Sequence, residues 1–209
     1  MFLLARRSGH AFGLLVVEEA RRGGWLPRLE RAAARGAVVA VRPGVYLPAR
    51  RWRALSGADR TLARIYAVGL THPDVVFAHH SAAALFRLPL PEDDLTQIHV
   101  VAAPPEAADL VEHPESSEGG VVARFGLQTT SPVQTVLDMA VALDEDAALA
   151  LVRAALRPSR GVSALHEEPA LCTKAELLAA AEAVAERTGD AKPVEVARAA
   201  EPEHLAAAA

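Results

Sequence analysis

Between Phe12 and Pro48 the chain is punctuated at three points, and their spacing leaves few folds open. Gly23-Gly24 stop a first run, Phe12–Arg22, which carries Leu14, Leu15, Val16 and Val17 and then Glu18, Glu19, Arg21 and Arg22. Gly36 is placed as the C-cap of a second run, WLPRLERAAARG. Its Pro27 suits a first helical turn, where the missing N–H costs nothing. Arg42-Pro43-Gly44 then separates AVVAV from VYL, which reads as strand, tight turn, strand. Helix, glycine turn, helix and hairpin is the order of a winged helix-turn-helix, with the hairpin as wing. On the second helix Leu26, Leu29, Ala33 and Ala32 form an apolar face. Arg28, Arg31 and Arg35, spaced by three and four, share another.

Charge follows the same division. The first 64 residues hold 13 arginines against four acids, a net of +9, and residues 65–209 carry a net of −13. The overall −4 thus hides a basic head on an acidic body, the pattern of a polyanion-binding module joined to something else. By helix-turn-helix geometry the candidate base readers are Trp25, Arg28 and Arg31, with Arg35, Arg21 and Arg22 set for phosphate. A packing role competes for Trp25, and a solvated helix face competes for each arginine taken singly. Arg42 is placed at the wing tip, and Arg50, Arg51 and Arg53 extend the footprint along PARRWRALSG, read as a linker.

Beyond the linker the expected fold is α+β, a mixed α/β domain with few short strands and C-terminal helices. Asp59 caps or begins a helix to about Gly69, VVFA (75–78) is a short buried strand, and Ser81 is placed as N-cap of AAALFRL, closed by Pro89 and Pro91. QIHVV (97–101) and Val121–Phe125 read as strands around a surface loop at 103–120. Thr130 or Ser131 caps a helix with Pro132 in its first turn. A further helix covers Asp144–Leu156, a loop covers Pro158–Pro169, and Thr173 caps a last long helix ended by Gly189. The expected domains are 1–50 for the winged helix, 51–58 for the linker, 59–190 for the acidic body and 191–209 for a frayed tail.

Chemistry is sparse. Cys172 is the single cysteine, so neither an internal disulfide nor a Cys-based zinc site can form. No apolar run approaches the roughly 18–20 residues of a membrane span, and Arg6 and Arg7 interrupt any signal-peptide pattern, so a cytoplasmic protein is expected. His79 and His80 on a strand would face opposite ways, and the remaining histidines show no ligand spacing. The acids Glu92, Asp93, Asp94, Glu112, Glu115 and Glu118 lie in loop segments with no nearby lysine. No catalytic residues, cofactor or metal are expected.

Four segments occur in a telling order: RAAARGAVVAVRPGVYLPA (31–49), VVFAHHSAAALFRLPL (75–90), IHVV (98–101) and GLQTTSPVQTVLDMAVAL (126–143). Together they resemble the actinobacterial relatives of the AbiEi antitoxins of type IV toxin–antitoxin systems, over roughly residues 12–157. The resemblance implies a winged helix that binds operator DNA, an antitoxin-type α/β domain, autoregulation, and a nucleotidyltransferase-type toxin encoded nearby. It carries DNA contact to Arg28, Arg31, Arg35 and Arg42. Two departures stand out: Arg87 replaces the glycine of the family's x-G-L, and Gln134 replaces the arginine of S-P-x-R-T. The second removes an ion pair with Asp138 unless Arg124 supplies it. A homodimer on double-stranded operator DNA is the expected assembly. The alternatives are a module that binds a partner toxin directly and a trimmed nuclease-related protein.

Overall fold

The structure, a computed structural model, describes residues 9–91, 97–103, 109–114, 120–160 and 167–200. The chain divides into two compact units, Met1–Val75 and Val76–Ala209, and its class is α+β.

The first unit opens with a 3-10 turn at Ala11–Gly13 and a two-residue strand β1 (Leu15–Val16). Helix α1 (Val17–Arg22) and helix α2 (Leu26–Ala34) follow, then β2 (Val38–Arg42), β3 (Val45–Pro48), α3 (Ala49–Ala54) and α4 (Gly57–Thr71). β1 pairs with β3 and β3 with β2, all antiparallel, so the first strand closes the sheet against the hairpin. The first expected helix is therefore shorter than its sequence suggests. Leu14 and Leu15 are fully buried, and that apolar run serves the sheet rather than a helix face.

Both helix stops are Schellman closures, in which two amides after the helix return to its last carbonyls. At the end of α1 the Trp25 N–H bonds the Ala20 carbonyl at 2.9 Å, with Gly24 at φ +68. At the end of α2 the Ala37 N–H bonds the Ala32 carbonyl at 2.9 Å, with Gly36 at φ +65 just past the cap residue Arg35. The first closure places the Trp25 ring against Gly23, where a Cβ would lie 2.7 Å from Nε1. Trp25 thereby joins the core of Leu15, Ala20, Leu29, Ala32 and Val38.

The expected linker is a folded part of this unit. Residues 49–54 are helical, and Trp52 and Leu55 pack on a second cluster of Leu14, Val45, Leu47 and Ala67. Ser56, not Asp59, caps α4, with its Oγ accepting the Asp59 N–H at 3.1 Å. Helix α4 packs on β2 and the 3-10 turn, so the unit extends to Val75 and the body begins there rather than at residue 59.

The second unit is built on a five-stranded sheet in the order β6-β5-β4-β8-β7, formed by β4 (Val76–Phe77), β5 (Ile98–Val101), β6 (Leu110–His113), β7 (Val121–Arg124) and β8 (Leu127–Thr130). β5 runs parallel to β6 and β4 parallel to β8, while the β4–β5 and β7–β8 pairs are antiparallel. Two of these strands correct the reading above. Leu110–His113 lies inside the expected surface loop, and Leu127–Thr130 returns from β7 through Phe125-Gly126. Those two residues take φ +52 and +78, the left-handed pair a two-residue hairpin favours.

Helices α5 (His79–Leu85), α6 (Pro132–Ala142), α7 (Glu145–Ala155), α8 (Lys174–Thr188) and α9 (Lys192–Ala199) complete the unit, with short strands β9 (Ser159–Arg160) and β10 (Glu167–Glu168) within the expected 158–169 loop. Ser131, Asp144 and Thr173 cap α6, α7 and α8, and Thr173 forms a capping box with Glu176. Val136, Met139, Leu151, Leu177 and Val196 are among the core residues. Val196 belongs to α9, so the expected frayed tail is folded as far as Ala200; Val194, Val196 and Ala197 are buried there. Residues 201–209 lie outside the described residues, as do Arg6, Arg7, Glu92, Asp93, Asp94, Glu115 and Glu118.

Candidate nucleic-acid interface

The expected DNA contacts separate into three groups. Arg28, Arg31 and Arg35 are exposed on or just past α2, the second helix of the helix-turn-helix. At about 100° per residue they span an arc of roughly 60° on the helix. Arg31 is oriented by its own backbone, its Nε donating to the Pro27 carbonyl at 3.0 Å. Arg50 and Arg53 are exposed on α3.

A second group is exposed but engaged. Arg21 donates to Glu18 at 2.6 Å and Arg22 lies 4.0 Å from the same carboxylate. A phosphate would have to displace Glu18 from both, which lowers what they add to binding. Arg51 donates through Nη1 to the Phe12 carbonyl at 2.9 Å. A Cβ on Gly13 would lie 2.1 Å from that nitrogen, so a glycine at φ +76 makes room for the clasp. Arg51 thus ties the N-terminal turn to α3.

The third group is not exposed. Trp25 is 8% exposed, so its ring packs in the core and cannot enter a groove. Arg42 does not project from the wing tip. It is half-buried, and its Nη2 lies 3.3 Å from His72 Nε2. The tip itself is the exposed Pro43-Gly44 pair. Two arginines not anticipated as site residues, Arg60 and Arg64, lie with their guanidinium carbons 5.4 and 5.3 Å from the Trp52 ring centroid. Their spacing of four, opposite a tryptophan in the preceding segment, was the available signal.

The body contains a constellation that spacing along the chain did not reveal. Parallel pairing aligns His99 with Val111 and Val101 with His113, so both histidines point from one face of neighbouring strands. The start of α5 brings His79 and His80 to them. His79 stacks on His113 with ring centroids 3.6 Å apart, His80 lies 4.6 Å from His99, and His99 Nδ1 meets His113 Nε2 at 2.8 Å. His79 and His80 are helical rather than on a strand, and Ser81 is a buried hydroxyl that accepts the His99 N–H at 2.8 Å, not a cap. Stacked rings aim their nitrogen lone pairs side by side rather than at one point. Among the described residues no group of three or more His, Cys, Asp or Glu side chains is set to hold a metal ion.

Beside the rings lies a cavity of about 310 Å³, lined by His79, His113, Gln134, Asp138, Arg187 and apolar side chains including Leu137 and Val141. Burial, then the nearby histidines His113, His99 and His80, depress the His79 pKa to about 3. Burial and the charge of His80 lower that of His113. Burial raises Asp138 to about 6 against the opposing hydrogen bond from Gln134. Gln134 Nε2 donates to Asp138 Oδ1 at 2.6 Å, so an amide stands where the resembling pattern has arginine. Arg124 does not replace it; its partner is Glu168.

No protein-family model matches this chain, and no curated protein matches it. Among the described residues no helix is long and apolar enough to cross a membrane.

Proposed function

We infer that the protein is a DNA-binding transcriptional regulator of the AbiEi-like antitoxin kind, cytoplasmic and without enzymatic activity of its own. One observation carries the reading: Arg28, Arg31 and Arg35 lie exposed on one arc of the second helix of a helix-turn-helix. That unit holds 13 arginines against five acids, a net of +8. Arg28 and Arg31 read base edges in the major groove, and Arg35, Arg50 and Arg53 neutralise phosphates. Arg21 and Arg22 join them once Glu18 releases them. A homodimer on a symmetric operator, and a nucleotidyltransferase-type toxin encoded nearby, complete the proposal.

The test is footprinting on the protein's own promoter together with a salt titration of affinity. Neutralising about six phosphates predicts a loss on the order of a thousandfold between about 50 and 200 mM salt. Affinity that is flat in salt, or that survives Arg28→Ala with Arg31→Ala, overturns the reading.

A further inference from the structure

Asp138 lies on α6 with its carboxyl facing the cavity. Its Oδ1 accepts from the Gln134 amide at 2.6 Å. Its Oδ2 has the His79 ring nitrogen 3.8 Å away, too far for a hydrogen bond. The side chain is 18% exposed, and among the described residues no arginine or lysine lies within ion-pair distance of it. A largely buried carboxyl with only a neutral amide bonded to it is poorly compensated. His79 adds a second observation. It takes φ +47, the left-handed region that strains a non-glycine residue, and it does so at the cavity wall.

We propose that this cavity binds a small planar organic cation, an amidine or protonated aminoheterocycle, whose N–H groups pair with the Asp138 carboxylate. Its flat body lies along the side of the stacked His79–His113 pair and against the side chains of Leu137 and Val141. A planar N–C–N cation offers two parallel donors to one carboxylate, which a point charge does not. About 310 Å³ is the lower end of the range for small-molecule sites, so one ring fits and a nucleotide does not. An anion meets Asp138 unfavourably.

The probe is benzamidine, titrated calorimetrically into the whole protein without DNA, with neutral benzamide and anionic benzoate as isosteres. Benzamidine binds saturably, one per chain, and the other two bind at least about tenfold more weakly. Asp138→Asn loses about tenfold or more. Gln134→Arg places a guanidinium four residues before Asp138 on the same helix face and abolishes binding by occupying the carboxylate from within. Circular dichroism establishes that both variants are folded, and where one is not, the other decides. Wild-type affinity weakens as pH falls below about 6, where Asp138 takes up a proton. Among the described residues His79, His113 and Arg187 are the other ionisable groups lining the cavity. Absence of saturable binding to the folded wild type, equal binding of benzamide, or binding unchanged in the folded variants overturns the proposal. None of these measurements involves DNA, so their failure is separate from failure of the regulator reading.

Discussion

The two units solve different problems with the same kind of chain. The first carries its chemistry outward: its ionisable side chains are mostly arginines, and Arg28, Arg31, Arg35, Arg50 and Arg53 are exposed. The second turns chemistry inward, gathering four histidines from α5, β5 and β6 into one cluster, of which His79 and His113 line a cavity together with Asp138 of α6. An exposed arginine is read from local spacing alone, because a helix of known phase fixes its direction. A buried cluster exists only once the sheet order is known. The difference teaches where function in such a chain is legible, and it sets what perturbation should do to each unit.

The largest contrast is in DNA binding. Arg28→Ala with Arg31→Ala removes about 2–6 kcal/mol of operator affinity if each arginine makes a bidentate base contact. Replacing His79 and His113 together by glutamine leaves operator affinity within a few-fold. Fluorescence anisotropy on a labelled operator measures both. Equal losses from the two pairs would erase the division between the units.

Next in size is Trp25→Ala. Emptying a site that is 8% exposed costs about 3–5 kcal/mol of stability. Chemical denaturation followed by circular dichroism separates this loss from a loss of contact. A folded Trp25→Ala protein of wild-type stability with impaired DNA binding would restore Trp25 as a base reader.

Much of the fold was legible where one residue sets one backbone. Pro43-Gly44, Gly36 at φ +65, Asp144 as a helix start and Thr173 as a cap all fell where their local chemistry put them. What escaped depended on distant partners. Leu110–His113 is four residues long with no alternation strong enough to mark it, and only the β5 edge makes it a strand. Residues 49–54 looked like linker because the arginines hid Trp52, whose burial partners lie on other elements. Of the candidate DNA residues, Trp25 and Arg42 are claimed by the core and by His72, two contacts that no spacing rule along the chain reports.

Acid should act on the second unit, and the sign is set by opposed groups. His79 titrates near 3 when folded, so its stabilising contribution is full above pH 6.5 and is lost as pH falls from there toward 3. His113, also lowered, adds to that loss. Asp138 is raised to about 6, so folding gains from its protonation as pH falls from about 6 to 3.8. In the wild type the two largest effects offset one another over that window. Asp138→Asn removes the offset, and between about pH 6 and 4 its unfolding free energy should fall by up to about 1.4 kcal/mol per pH unit more steeply than the wild type. Urea melts of both proteins at pH 6, 5 and 4 measure the slopes. Parallel slopes would mean that the fold does not raise the Asp138 carboxyl above its unfolded value.

The smallest effect tests how each unit ends its helices. The first unit closes α1 and α2 with Gly24 and Gly36 in the left-handed region. The second closes α5 the same way, with the Leu88 N–H on the Ala83 carbonyl at 3.0 Å, but the left-handed residue is Arg87 at φ +58. An L side chain there costs about 1–2 kcal/mol, part of which returns because arginine also restricts the unfolded chain. Arg87→Gly should therefore stabilise the second unit by about 0.5–1 kcal/mol. Gly36→Ala should destabilise the first by a similar amount, through backbone alone, since a Cβ at Gly36 meets nothing within 4 Å. Urea midpoints report both. If Arg87→Gly destabilises instead, the exposed Arg87 side chain makes a contact worth more than the strain of its backbone, and the two units would differ in purpose at this turn as well as in chemistry.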